Sequence, residues 1–309
     1  GKTLPLLIPE REKPARVGEE PERKAEKPKV RMLFYWGCGE AVRPGQPKVL
    51  DTEKMSMPEF GKAMSGRTGS GQTPPSQRSG RAYAEWPNQK DRQDVPKSSS
   101  LSGDHFIHGN YMPDIRFAVG ERHDFMAPVE FTSVTGGLTD SIRFQWKKIP
   151  TAIGYFAMAM GHNEKTGETI LWSSSDAQDP GYGLMSYLSP ADVNRFIRDK
   201  VVMGPEVTSC SVPKGIFKEA NGAALQFIGY GDELNIAYPP KPKDPKIPHE
   251  YIWAVKLRNK STGMLPIGMD EGKAERRTKQ DEQPVEPKRG ESPDPVKDTL
   301  DKMKNILKF

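Results

Sequence analysis

A chain of 309 residues has room for one large domain or two ordinary ones, but only 35% of it is hydrophobic and it carries 29 glycines and 29 prolines, so much of it is expected to be loop or tail. Its formal charge of +5 is a small difference between 46 basic and 41 acidic residues, and no run gathers Lys and Arg with interleaved aromatic rings, which argues against a nucleic-acid partner. No stretch approaches the ~20 apolar residues of a membrane span, and the opening GKTLPLLIP lacks the charged and apolar regions of a signal peptide. Because Gly1 is not Met, the sequence is expected to begin inside a longer precursor.

Residues 1–30 place prolines at 5, 9, 14, 21 and 28 among charges of both signs, which predicts an extended tail. RMLFYW at 31–36 is apolar on both faces, the pattern of a buried strand, and a short strand is predicted to start at Lys48. Residues 51–102 are rich in Gly, Ser, Pro and Gln. Within them MPEFGKAM at 57–64 can make a turn or two of helix, and GRTGSG at 66–71 reads as a flexible linker, since it lacks the Lys and the strand-to-helix context of a phosphate loop. Two strands joined through GNYMP are expected at 105–108 and 114–119, completing an N-terminal β region over 31–123.

In IRFQWKKIPTAIGYFAMAM, residues 142–160, Ile142, Phe144 and Trp146 alternate with polar residues, and Pro150 and Gly154 punctuate the chain before Tyr155, Ala157 and Ala159 resume the alternation. This Trp, a Pro/Gly connection and a "GY" strand resemble the second and third strands of fibronectin type III modules. The resemblance implies a β-sandwich, assigned to 124–262, with Trp146 and Tyr155 buried on neighbouring strands. NEKTG at 163–167 predicts a hairpin loop. In SPADVNRFIRDKV, Ser189 as N-cap and Pro190 at the first helical position predict the one internal helix. Further strands are predicted at 206–212, 224–228, 233–238 and 251–257, with PPKPKDPKIP making a wide excursion between the last two. A charged linker from 263 leads to DPVKDTLDKMKNILKF, predicted as an amphipathic helix with Val296, Leu300, Met303 and Leu307 on one stripe.

Candidate sites are few. Cys38 lies between two glycines in WGCGE. It and Cys210 are open to two assignments, a disulfide or buried free thiols, and no local His supplies the activation a catalytic Cys needs. His105 and His108, three apart on a strand, point to opposite faces, so no metal or other cofactor is expected. Trp36 and Trp146 are embedded in apolar runs, which leaves Trp86, Trp172 and Trp253 as candidate ligand contacts. WGCGE, WPN at 86–88 and SLSGDHFIHGNYMPDIRF at 101–117 further resemble an uncharacterised family of secreted proteins of Gram-negative bacteria, which implies a periplasmic or secreted location and no assigned activity. The sequence thus predicts a non-enzymatic periplasmic or cell-surface adaptor, mainly β, whose tails contact envelope proteins. The alternatives are a carbohydrate- or small-ligand-binding module, and a carbohydrate-active or other hydrolase with a shallow site built from the 51–102 loop.

Overall fold

A computed structural model describes residues 3–9, 29–70, 83–88, 90–91, 95–96, 98–244, 246–248 and 250–268. The predicted C-terminal helix and its four stripe residues lie outside them, as does most of the N-terminal tail. The chain divides into two units. The smaller comprises residues 1–25, 71–100 and 287–292, and the larger holds the remainder.

In the smaller unit, the backbones of Leu7 and Glu85 pair in an antiparallel bridge, with N···O distances of 3.2 and 2.9 Å.

The larger unit is mainly β. Its elements are β1 (Arg31–Trp36), β2 (Lys48–Asp51), α1 (Met57–Met64), β3 (Gly103–Ile107), β4 (Ile115–Val119), β5 (Phe131–Thr135), β6 (Ile142–Trp146), β7 (Ala152–Asn163), β8 (Glu168–Ser173), α2 (Pro190–Arg198), β9 (Ser209–Val212), β10 (Ala223–Tyr238) and β11 (Trp253–Ile267). They form a six-stranded sheet in the order β11-β10-β7-β8-β1-β2, a three-stranded sheet β5-β6-β9 and a separate hairpin β3-β4. All pairs are antiparallel except β1 with β8.

The period of two marked on the sequence decides which sheet face each residue serves. Phe144 and Trp146 from β6, with Cys210 and Val212 from β9, pack against Tyr155, Ala157 and Ala159 from β7, Trp172 from β8, and Leu225 and Phe227 from β10. Trp146 and Tyr155 are therefore neighbours across two facing sheets, where a hydrogen-bonded strand pair would have kept them in one. The alternate residues of β7 point the other way: Phe156 and Met158 meet Val193 and Phe196 of α2, and Met160 meets Phe60 of α1. Because β7 is covered on both sides, its sequence is apolar almost throughout.

Both helices begin as their sequences require. Ser56 and Glu59 form a reciprocal capping box at α1, and the Ser189 hydroxyl accepts from the Asp192 amide at 3.2 Å at α2. Two strands outrun their predicted ends. β10 is continuous through a bulge between Tyr230 and Glu233, and β11 continues to Ile267, past the expected boundary at 262. Gly263 and Pro266 read as breakers, but β11 is the last strand of its sheet, and an edge strand tolerates a proline that has no N–H to donate.

Candidate interaction surface

The WGCGE segment leaves β1 and runs beside β9, and its backbone is bonded at almost every position. The Gly37 amide donates to Ser173 and its carbonyl accepts from the Trp172 indole at 3.1 Å. The Gly39 amide donates to Ser211, and the Glu40 carbonyl accepts from the Lys214 amide. Gly37 sits at φ +95 with the Arg43 guanidinium pressed on it, where a Cβ would meet Arg43 Cζ at 2.3 Å. Arg43 in turn bonds the Cys38 carbonyl and Asp176. Cys38 and Cys210 form a disulfide with their Cα atoms 5.2 Å apart. Of the two assignments open to the cysteines, the structure contains the bridge, and Cys38 is a staple between the sheets with no thiolate to act as a nucleophile.

The three candidate tryptophans separate. Trp172 is 0% exposed and belongs to the core, so its expected role as a ligand contact is corrected: the polar neighbours that made it look exposed in sequence, Ser173 to Ser175, are themselves buried. Trp86, in the smaller unit, is half-buried, with its indole N–H donating to Asp91 at 3.1 Å. Trp253 is half-buried at the start of β11 and stacks on Tyr238, with centroids 5.6 Å apart and an interplanar angle of 17°.

Tyr238 and Trp253 belong to a ribbon. β7 pairs with β10 only as far as Gly231, and the next pairs, Glu233 with Arg258 through Tyr238 with Trp253, run on as two strands. One face of this ribbon carries Leu234, Ile236, Tyr238, Trp253, Val255 and Leu257. The other carries Glu233, Asn235, Lys256 and Arg258. Burial opposes the charge of the Glu233 carboxylate, but Asn235 donates to it at 2.7 Å, Arg258 at 2.9 Å, and Lys256 stands 3.7 Å away, so its pKa lies below the usual range.

The β3-β4 hairpin is a second arm. Its exposed face stacks Phe106 on His108, with the Arg116 guanidinium 4.0 Å from the Phe106 centroid. His108 bonds Asp114 across the tip at 2.7 Å. Tyr111, at the tip, is fully exposed, and Phe106 and Met112 are 52% and 40% exposed. Both arms share a root: just past β4, Arg122 bonds Asp232 in the β10 bulge at 2.7 Å, and the Asn259 side chain donates to the carbonyls of His123 and Asp124 at 3.0 Å each.

One feature escaped sequence reasoning. Within the GRTGSG stretch expected to be a flexible linker, residues 66–70 form a strap held by two buried carboxylates. Asp179 accepts from the Arg67 amide at 2.8 Å and its guanidinium at 3.2 Å. Asp192 accepts from the Ser70 amide at 2.7 Å and hydroxyl at 2.9 Å, from the Ser189 hydroxyl and from Arg195. The available signal was Asp192, an acidic residue at the third position of the predicted helix.

Among the described residues, no group of three or more His, Cys, Asp and Glu could hold a metal ion, and no helix is long and apolar enough to cross a membrane. No protein-family model, curated protein or solved structure matches this chain.

Proposed function

We propose that this chain is a non-enzymatic structural or adaptor protein of the Gram-negative envelope, periplasmic or at the cell surface, with a fibronectin type III-like sandwich that holds an aromatic arm against a partner protein. The observation that carries this is the β3-β4 hairpin. It forms its own two-stranded sheet and presents Phe106, Tyr111, Met112 and Arg116 to solvent. Tyr and Arg are the side chains that dominate binding energy at protein interfaces, and a short hairpin already ordered by its ladder loses little freedom when bound.

Support for the sandwich type comes from strand order. Taking β5, β6 and β7 as the first three strands, the first, second and fifth form one sheet, and in the other the last two follow the third on one side, in the order third, sixth, seventh, as in immunoglobulin-like folds. The fourth strand, β8, lies beside the third. β1 and β2 then extend that sheet beyond β8. The disulfide supports an oxidising compartment. Most of the N-terminal tail, and the C-terminal helix expected to make contacts, lie outside the described residues, so the arm takes that role here.

The carbohydrate-binding alternative has one observation in its favour, the near-parallel rings of Tyr238 and Trp253. Beyond these two rings the face continues with four aliphatic residues, Leu234, Ile236, Val255 and Leu257, which offer no hydrogen bond to sugar hydroxyls.

The test is a photo-crosslinking amino acid at position 111 of the full chain, exposed to native envelope. A discrete protein adduct, lost when Phe106→Ser is added and absent with the crosslinker at Thr262, is the expected result. No adduct at 111, or one indifferent to Phe106, would remove the arm's assigned role.

A further inference from the structure

The β10-β11 ribbon ends in a segment, Pro239 to Ile252, whose chemistry differs from that of the β3-β4 arm. The ribbon stands six residue pairs beyond the bulge, roughly 20 Å of strand. At and around its end Tyr238, Ile247, Tyr251 and Ile252 are 51%, 54%, 60% and 63% exposed. Lys241, Lys243 and Lys246 are exposed among them. Behind this tip runs the apolar face of Trp253, Ile236, Val255, Leu234 and Leu257, none of which belongs to the three packed cores.

We propose that this ribbon tip docks, without spanning, on the surface of a lipid bilayer that contains anionic headgroups. Four observations lead to it. Tyr and Trp, with an apolar body and a polar edge, are the side chains that settle at the headgroup level of a membrane, and here a stacked Tyr238–Trp253 pair and Tyr251 cluster at one end. Ile247 and Ile252 supply apolar bulk beyond those rings. Lys is depleted from the cores of protein–protein interfaces, whereas lysines beside a lipid surface are drawn to anionic headgroups, so three lysines among exposed apolar side chains fit the lipid and not the protein partner. Finally, prolines at 239, 240, 242, 245 and 248 carry no backbone N–H, which removes five donors that would otherwise need a partner on leaving water. Asp244 and Glu250 offset part of the lysine charge, so apolar insertion carries most of the binding and charge supplies the headgroup preference.

The experiment uses the full chain and vesicles of phosphatidylcholine, either alone or with one part phosphatidylglycerol to two parts phosphatidylcholine. Co-sedimentation with the anionic vesicles is expected, with weaker binding to the neutral ones. Y251S/I252S should weaken binding by tenfold or more. K241Q/K243Q/K246Q should bring binding to anionic vesicles down to the neutral level, on the order of a tenfold loss. Brominated lipid should quench a component of the emission that disappears in Trp253→Phe, since Trp146 and Trp172 are buried in the core. The substituted side chains lie outside the packed cores, so melting temperatures should hold; if Y251S/I252S fails to fold, Ile247→Ser replaces it. Tyr111→Ser should leave vesicle binding intact, which separates failure of this proposal from failure of the arm's proposed role. Absence of binding to either vesicle at millimolar lipid would overturn it. So would binding indifferent to the tip substitutions, or a tip that associates with protein and not with lipid.

Discussion

The indole of Trp146 meets the ring of Tyr155 edge to face, with centroids 5.5 Å apart and planes at 68°, across the gap between the two facing sheets. Phe227 completes the contact, its centroid 4.7 Å from Trp146 and 5.6 Å from Tyr155. Both Trp146 and Tyr155 are almost wholly buried, and the Tyr155 hydroxyl accepts from the Ile149 amide at 2.9 Å, which secures the turn between β6 and β7. Trp146→Ala should therefore cost about 3–5 kcal/mol in denaturant unfolding, because the cavity lies between sheets that cannot close over it. A loss under about 1 kcal/mol would contradict this packing.

The Cys38–Cys210 bridge closes a loop of 172 positions. Chain entropy gives about 5 kcal/mol for a loop of that length, and native bridges commonly contribute about 2–4. Replacing both cysteines with serine should lower the melting temperature by several degrees, and thiol titration of the denatured, unreduced protein should find no free thiol.

Asp192 links stability to pH. Burial alone would raise its pKa, but the bonds from Ser70, Ser189 and Arg195 outweigh burial and lower it. A carboxyl whose folded pKa lies below its unfolded value of about 3.9 stabilises the fold above that value. The contribution is lost as pH falls through the folded pKa. The stability gap between the natural protein and Asp192→Asn should therefore be constant from neutral pH down to about pH 5 and shrink below about pH 4. A gap that widens on acidification would reverse the sign argued here.

Gly183 lies against the strap, where a Cβ would come within 2.4 Å of the Arg67 carbonyl oxygen. Backbone cannot yield cheaply, so Gly183→Ala should lift residues 66–70 from their carboxylates. Trypsin should then cut after Arg67 many times faster while the sheets remain folded. Unchanged cleavage would show the strap to be already loose.

Local pattern was enough to find most strands and both described helices, because burial on one face imposes a period of two or 3.6 on the side chains themselves. The ends of β10 and β11 were less legible. The sequence pattern breaks one strand in two, at 224–228 and 233–238, and ends the last at 257, because the bulge that keeps β10 continuous and the sheet edge that tolerates Pro266 are not local features. Trp172 and Trp253 illustrate the same limit at the candidate sites. Each directly follows an apolar pair, Ile170-Leu171 and Tyr251-Ile252, but one is at the centre of the sandwich and the other is on a ribbon beyond it.

The sequence by itself determined that this protein is mainly β, that Trp146 and Tyr155 enter its core, and where its helices begin, since alternation and capping are local and need no partner to be recognised. Tertiary structure alone decided that Cys38 meets Cys210, that β1 joins β8 in parallel, that two distant aspartates hold residues 66–70, and that two arms share the Arg122–Asp232 root. Each of these joins residues more than a hundred positions apart, and such pairings are set by how whole sheets stack, a property that no window of neighbouring residues contains.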